Sequence, residues 1–276
     1  MPEASSAFHS NFQRVRFVLV EPTLAANIGA AARAIKTMGF SRLAIVKPKD
    51  PDYRSDPDAV ALATGAADVL AASTCSEDLP AALAGARLAV AMTGYDREFG
   101  SSLRDLRGAA TEAAAQLATI AQGDLAFVFG TERSGLSNAD VLRCQWCAAI
   151  PADPHFASLN LAQSVQVTAY ECQLALRGTA AIHSGQLRFD NDELPAGVEA
   201  LEKLYEHFER AATAVGFHDP DEPKTLMVRV RRLLNRARPT QTEVDLLRGV
   251  LAAVIESRAD RAGRKRDAEA RERGRG

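Results

Sequence analysis

Five short apolar runs, separated by segments of helical length, constrain the fold of this chain more than any other feature. Each run has about the length of a strand and is apolar at consecutive positions; the runs are 15–20, 42–46, 86–93, 125–130 and 147–151. Strands that are apolar on both faces are typical of parallel sheets covered by helices on both sides. Segments rich in Ala and Leu lie between them, most clearly at 26–38, 111–122 and 159–176. The alternation predicts an open α/β fold with a Rossmann-like parallel sheet.

The alternation stops near residue 177. The following segment, 178–195, clusters Gly, Ser, Asp, Asn and Pro and indicates a linker. Beyond it the pattern is helical, and Thr240 or Thr242 suits the N-cap of the last helix. We therefore predict a domain at 1–177, a small all-helical extension at 196–258 and a charged, disordered tail at 259–276.

Composition narrows the possible functions. With 276 residues and 47% hydrophobic content, the chain can bury a large core. It shows no signal peptide and no run of the ~20 apolar residues that a membrane helix needs, so we expect a cytoplasmic protein without a membrane partner. Cys144 and Cys147 have no second cysteine pair, so we expect no metal. The net charge of −2 argues against a bulk nucleic-acid binder, yet residues 224–238 carry six basic side chains and no acid.

The first unusual loop precedes the helix at 26–38, at the edge of the sheet where open α/β folds bind ligands. Asn27 suits either a cap for this helix or contact with a ligand. Gly29 and Arg33 lie one turn apart and off the apolar face, and we expect the glycine to leave room for the guanidinium. The alternative interpretation is a surface arginine on an amphipathic helix.

The second unusual loop, "GTERSG" at 130–135, follows a buried strand, and its two glycines bracket Glu132 and Arg133. It lacks the lysine of a Walker loop and the spacing of a G-x-G-x-x-G motif, which argues against a conventional dinucleotide site. The glycines serve either close approach to a ligand or an unusual backbone turn.

The third unusual loop begins with Ile150 at the end of a strand. It leads into a helix that Ser158, Leu159 and Asn160 open. His155 lies in this loop and could act as a base, but we interpret it as incidental.

These loops lie in three motifs, "NIGAAARAIKTMGF", "FVFGTERSGLSNADV" and "IPADPHFASLNLAQSVQVTAYE". In this order and spacing they resemble the motifs of the SPOUT superfamily of RNA 2′-O-methyltransferases. The stretch "GFHDPDEPKTLMVRVRRLLNRARPTQTEVDLLRGVLAAV" is similar to the helical extension of the tRNA (cytidine/uridine-2′-O-)-methyltransferases of that superfamily. The resemblance covers about residues 17–254. It implies a trefoil knot across the second and third motifs, S-adenosylmethionine as cofactor, tRNA as partner and a homodimer.

The resemblance also implies which residues form the site. By motif match, the cofactor contacts are Thr93, Gly94, Tyr95, Gly130, Ile150, Ser158, Leu159 and Asn160. The implied catalytic residues are Arg33, Asn27 and Glu132, with Glu132 bracing its loop or the partner subunit. The acid-free basic stretch adds candidate RNA contacts, which are Lys224, Arg229, Arg232 and Arg236.

The implied reaction is 2′-O-methylation of a pyrimidine ribose, C and/or U, at position 32 of the tRNA anticodon loop. Arginine is effectively always protonated in proteins. We therefore interpret Arg33 as a cation that holds a phosphate and stabilises the developing alkoxide, not as a general base. Two alternatives stay open: a SPOUT 2′-O-methyltransferase for rRNA or another tRNA position, and a non-catalytic RNA-binding module.

Overall fold

The computed structural model describes residues 11–96, 100–119, 122–153, 155–182 and 195–256. Within these residues, seven strands form one parallel sheet in the order β3-β2-β1-β6-β4-β7-β5. The strands are β1 Val15–Val20, β2 Arg42–Val46, β3 Thr74–Ser76, β4 Ala86–Met92, β5 Leu103–Asp105, β6 Asp124–Phe129 and β7 Trp146–Ala149.

Helices connect the strands and form the C-terminal part of the chain. The helices that lie between strands are α1 Ala25–Thr37, α2 Pro57–Leu62, α3 Ala67–Ala71, α4 Leu79–Ala82, α5 Leu106–Thr119 and α6 Asn138–Leu142. The helices that follow the sheet are α7 Leu161–Ile182, α8 Val198–Ala214, α9 Leu226–Ala237 and α10 Gln241–Ile255. In the described part of the chain, every helix is too short or too polar to span a bilayer.

The predicted parallel α/β sheet is confirmed. The five apolar runs form β1, β2, β4, β6 and β7, while the edge strands β3 and β5 were not predicted. Each of these two has three residues that are exposed or half-buried, so neither shows an apolar run. The strand order places β6 between β1 and β4, and β7 between β4 and β5. The trefoil knot that the resemblance implies stays a prediction.

Alternate residues of the strands fill two cores on opposite faces of the sheet. In β1, Phe17 and Leu19 belong to one core, while Val18 and Val20 belong to the other. Apolar residues of α1, α5 and α7 cover the first face. The second face is covered by α4, α6 and Val198 at the start of α8. Burial on both faces explains why these strands are apolar at consecutive positions.

The helical extension has a core of its own and is also fastened to the sheet domain. The buried residues of this core are Ala196, Leu201, Leu204, Tyr205, Val230 and Val244. The Tyr205 hydroxyl donates to Oδ1 of Asn235 at 2.7 Å, and Nδ2 of Asn235 donates to the carbonyl of Cys144, just before β7, at 3.1 Å. Thr240 caps α10 in a capping box with Glu243.

The structure bears on the predicted end of the sheet domain, but it does not describe most of the predicted linker or the tail. Helix α7 continues to Ile182, so the chain is still helical beyond the predicted boundary at residue 177. Residues 183–194 of the predicted linker and the whole predicted tail, 259–276, lie outside the described residues. The domain boundaries therefore stay predictions.

Candidate active site

A cavity of about 540 Å³ lies at the carboxyl ends of β4, β6 and β7. Its lining comes from three loops, at 92–95, 129–136 and 150–164. Ligands of open α/β sheets bind at this edge, and the volume is typical of small-molecule and cofactor sites. The second and third motifs thus meet around one space.

The cavity gathers seven of the eight predicted cofactor contacts. These are Thr93, Gly94, Tyr95, Gly130, Ile150, Ser158 and Leu159. The backbone N–H of Thr93 donates to the carbonyl of Ala148 in β7 at 2.9 Å, which fixes the start of the first loop to the neighbouring strand.

The eighth predicted contact, Asn160, has a different observed role. Its Nδ2 donates to Oδ1 of Asn27 at 3.0 Å, and its Oδ1 accepts from the backbone N–H of Ala162 at 2.9 Å. Nδ2 of Asn27 in turn donates to Oε1 of Glu132 at 2.9 Å. One hydrogen-bonded chain, Asn160–Asn27–Glu132, therefore connects all three motifs. Asn27 does not cap its helix, because Leu24 occupies the N-cap position without a side-chain hydrogen bond.

Glu132 holds the first motif to the second. Its carboxylate also accepts from the backbone N–H and hydroxyl of Thr23, at 2.9 and 2.6 Å, and from the backbone N–H of Leu24 at 3.2 Å. Burial opposes ionisation, but the hydrogen bonds from Asn27 and Thr23 outweigh it and keep the pKa of Glu132 below its ordinary value. A carboxylate with four donors at its two oxygens suits a bracing role better than proton transfer.

Gly130 is required by the loop itself. A Cβ at this position would lie 2.0 Å from the carbonyl carbon of Gly135 and 2.1 Å from the backbone nitrogen of Leu136. The loop folds back because Thr131 and Gly135 exchange two backbone hydrogen bonds, at 3.0 and 3.2 Å. Gly135 has a φ of +67°, a conformation that favours glycine. Room for the loop's own backbone is thus the first reason for the glycine at 130.

The structure also changes the explanation for Gly29. We expected it to leave room for Arg33, but it is buried, and a Cβ there would lie 2.0 Å from the carbonyl oxygen of Ala59 in α2. Gly29 therefore permits close packing of α1 against α2. The Arg33 side chain is exposed and makes no hydrogen bond or ion pair with any described residue.

Comparison with known proteins identifies this arrangement. The sequence model of the SpoU rRNA Methylase family matches residues 14–170, which contain the sheet and the loops of the cavity. The chain belongs to this family. It is therefore an S-adenosylmethionine-dependent methylase, which confirms the predicted enzyme class and cofactor. A second model, for the C-terminal domain of the tRNA methyltransferase TrmJ, matches residues 199–267 and thus covers the helical extension.

Individual relatives span both parts of the chain. TrmJ of Pseudomonas aeruginosa, a tRNA (cytidine/uridine/adenosine-2′-O-)-methyltransferase, is 40% identical over 243 residues, which are 86% of this chain and 92% of the relative. TrmJ of Escherichia coli K12, a tRNA (cytidine/uridine-2′-O-)-methyltransferase, is 38% identical over 242 residues, covering 88% and 95%. The crystal structure of TrmJ from Z. mobilis ZM4 superimposes with a TM-score of 0.73 at 31% identity and covers 87% of this chain and 99% of that one.

In this SpoU methylase the basic stretch of the extension divides into two groups. The predicted RNA contacts Lys224, Arg229, Arg232 and Arg236 are all exposed. The last three follow the i, i+3, i+7 spacing of one helix face. By contrast, Arg231 forms a two-pronged ion pair with Glu202, at 2.6 and 2.7 Å, and stacks on the ring of Tyr205.

Arg238 also belongs to the group that serves packing. Its guanidinium pairs with Glu112 of α5 at 2.7 Å and lies 5.2 Å from the ring centre of Trp146 in β7. The structure thus uses Arg231 and Arg238 within the chain and leaves the predicted RNA contacts on the surface. RNA binding by those four residues stays a prediction.

Several residues of the cavity lining were not predicted as site residues, and Arg133 is the charged one among them. Arg133 lines the cavity beside Glu132. Its position inside the second motif was visible in the sequence, but nothing there distinguished an arginine at the cavity from one facing away. For metals, no group of three or more His, Cys, Asp or Glu side chains that could hold an ion occurs among the described residues.

Proposed function

We propose that this chain is a cytoplasmic, homodimeric tRNA methyltransferase that methylates the 2′-hydroxyl of a pyrimidine ribose, C and/or U, at position 32 of the anticodon loop. The observation that carries the proposal is the match to TrmJ proteins across both the sheet domain and the extension, with 92% of the P. aeruginosa relative covered. A SpoU methylase for a different RNA would share the sheet domain, so the extension is what favours tRNA.

The cavity fits the cofactor in size and in chemistry. Its volume of about 540 Å³ suits a nucleoside-sized molecule, and its lining combines apolar side chains such as Met92 and Ile150 with backbone groups of the glycine-containing loops. Thr93, Gly94 and Ser158 are the residues that would hold it. When bound, S-adenosylmethionine supplies a methyl group attached to a positively charged sulfur.

Arg33 would act on the RNA side of the reaction. The 2′-oxygen gains negative charge as it loses its proton, and a fixed cation lowers the free energy of that state. The Arg33 guanidinium has no partner among the described residues, so all of its donors are available for a phosphate or for the reacting oxygen. We propose that it does both, and that the phosphate or a water accepts the proton.

A dimer would bring Arg33 to the cavity. In the described part of one chain Arg33 does not line the cavity, which leaves the site without this cation. Helix α7 exposes two large apolar side chains one turn apart, Tyr170 and Leu174, which suit contact with a second copy. We propose that each active site combines the cavity of one chain with Arg33 of its partner.

Mixing two inactive variants tests this arrangement. Arg33→Ala removes the cation, while Gly94→Leu fills the cavity at a position where an added Cβ meets no protein atom within 4 Å. In a mixed dimer, the intact cavity of the Arg33→Ala chain faces the intact Arg33 of the Gly94→Leu chain, so one of the two shared sites is complete. Partial activity on mixing would support a shared site, whereas no activity from a dimer shown to exchange chains would contradict it.

Nucleoside mass spectrometry tests the function directly. We expect tRNA from a deletion strain to lack 2′-O-methylcytidine and 2′-O-methyluridine at position 32, and the purified protein to restore them in vitro. The analysis should include 2′-O-methyladenosine, because the name of the P. aeruginosa relative adds adenosine. Unchanged tRNA together with methyl groups missing from rRNA would contradict the proposal and favour the rRNA alternative.

A further inference from the structure

Two charged residues line the described cavity, and one of them is already hydrogen-bonded to other parts of the protein. These residues are Glu132 and Arg133. Both oxygens of Glu132 are taken up by donors from Thr23, Leu24 and Asn27. Arg133 is therefore the charged side chain that this lining offers to a ligand.

Arg133 has no role in the packing of the described chain. Its side chain is exposed and makes no hydrogen bond or ion pair with a described residue. Arginines that stabilise this fold look different: Arg16 is largely buried and pairs with Asp124, and Arg231 pairs with Glu202. A free guanidinium in the lining of a cofactor cavity has five donors and no acceptor, so its natural ligand is a group with anionic oxygens.

The loop presents Arg133 on a well-fixed backbone. Thr131 and Gly135 close the loop with two backbone hydrogen bonds. Oγ1 of Thr131 accepts from the backbone N–H of Ser134 at 3.1 Å and lies 2.8 Å from the Ser134 hydroxyl. Binding a ligand then requires ordering of the Arg133 side chain alone, which keeps the entropy cost of a contact low.

Two exposed lysines lie further along the sheet edge from this loop. The strand β1 lies next to β6, and β2 lies next to β1. Lys47 and Lys49 follow β2 and are exposed, and the backbone N–H of Lys49 donates to the carbonyl of Pro22 after β1 at 3.1 Å. Acids lie on the same loops: Glu21 and Asp52 are exposed, and the Asp50 carboxylate accepts from the backbone N–H of Asp52 at 2.9 Å, so the edge carries charges of both signs. These cations extend from Arg133 away from the loops of β4 and β7.

We propose that Arg133 binds a backbone phosphate of the substrate RNA beside the target ribose and thereby positions the 2′-hydroxyl at the cofactor. The planar guanidinium matches a phosphate with two parallel hydrogen bonds. The direction of the lysines favours a strand of RNA over the carboxylate of the cofactor, the other anionic group of this reaction. The inference rests on the proposed function and adds a substrate-binding residue to its site.

Substitutions at Arg133 test the inference in the full-length protein. Arg133→Gln removes the positive charge, and Arg133→Lys keeps the charge but loses the two-pronged geometry of the guanidinium. Arg210→Gln is the control, because Arg210 of α8 is also exposed and does not line the cavity. We expect Arg133→Gln to raise the KM for tRNA at least about tenfold and to leave the Kd for S-adenosylmethionine within about twofold. In a plot of the logarithm of the tRNA binding constant against the logarithm of the salt concentration, the slope should become shallower by about 0.7–0.9, the amount expected for the loss of one phosphate contact. Arg133→Lys should recover part of the affinity, and Arg210→Gln should behave like wild type.

Three outcomes would overturn the inference. All three concern a folded Arg133→Gln protein. The first is that its tRNA affinity and the salt dependence of tRNA binding are unchanged. The second is that it loses affinity for S-adenosylmethionine alone, and the third is that its kcat falls while both affinities stay intact. The second outcome would assign Arg133 to the cofactor carboxylate, and the third to the reacting atoms. Wild-type protein that binds tRNA without methylating it would contradict the proposed function, while the binding titration would still decide the role of Arg133.

Discussion

Replacing Glu132 by glutamine should weaken the hydrogen bonding that holds the first motif to the second. Oε2 of Glu132 serves two donors of Thr23, while Oε1 serves the backbone of Leu24 and the amide of Asn27. Glutamine keeps one acceptor oxygen and places an NH₂ group where the other oxygen was. If the NH₂ group faces Leu24 and Asn27, two of the four contacts become encounters between donors. If it faces Thr23, the backbone N–H of Thr23 meets another donor, while the Thr23 hydroxyl can turn to accept.

The expected loss of stability follows from these contacts. A hydrogen bond to a charged group contributes ~1.5–3 kcal/mol, but this site is partly exposed, so water replaces some of what is lost and we expect about 2 kcal/mol in all. In a chain of this size that lowers the melting temperature by roughly 4–8 °C. The pKa of Glu132 is below its ordinary value of 4.5, so the ionised carboxylate stabilises the fold above that pH. Its contribution disappears as the pH falls through the lower, folded-state pKa.

Thermal unfolding of wild type and Glu132→Gln between pH 7 and pH 3 measures both effects. The difference in melting temperature should be largest near neutral pH and should narrow in acid, where the wild-type carboxylate becomes protonated. Glu21→Gln is the matched control, because Glu21 has an exposed carboxylate on the neighbouring loop that accepts no hydrogen bond from a described residue. A Glu132→Gln protein as stable as the control, or a difference that does not depend on pH, would refute the bracing role.

Three further predictions concern function. Arg33→Ala should nearly abolish methyl transfer and leave the Kd for S-adenosylmethionine, measured by calorimetry, within a few-fold; substantial turnover would show that Arg33 is not catalytic. Gly130→Val should both lose cofactor affinity and lower the melting temperature, because its side chain meets the loop backbone 2.0 Å away, whereas Gly94→Ala should fold normally. The double variant Arg229→Gln/Arg236→Gln should weaken tRNA binding and flatten its salt dependence by about 0.7–0.9 per lost phosphate contact; an unchanged slope would place the RNA elsewhere.

Strands could be predicted from the sequence where both of their faces are buried, and could not where they are exposed. Strands buried on both faces leave a continuous apolar run, so β1 and β2 were predicted with the bounds that the structure has. The edge strand β3, "TCS", has three residues and is mostly exposed, so it leaves no apolar run in the sequence. Its pairing depends on β2, a segment far away in the sequence, and local patterns carry no information about such a partner.

The motifs predicted which residues surround the cavity but not what several of them contact. Asn27 and Glu132 are separated by 105 positions, and Asn27 and Asn160 by 133. Their hydrogen bonds exist only after the sheet has brought three loops to one edge. The same holds for Gly29, whose close neighbour belongs to a different helix. A matched motif therefore identifies a site more reliably than it explains each residue of the site.

The extension shows why point variants test RNA binding better than a truncation. Removing the chain after Pro195 would delete Val198 from the core on one face of the sheet, as well as the Asn235 bond to the Cys144 carbonyl. Lost RNA affinity in such a truncation could then follow from unpacking near β7, whose end leads into the cofactor cavity. Arg229 and Arg236 are exposed, and the structure assigns their side chains no contact that the fold needs. Changing these two alone separates contact with RNA from the integrity of the domain that carries the site.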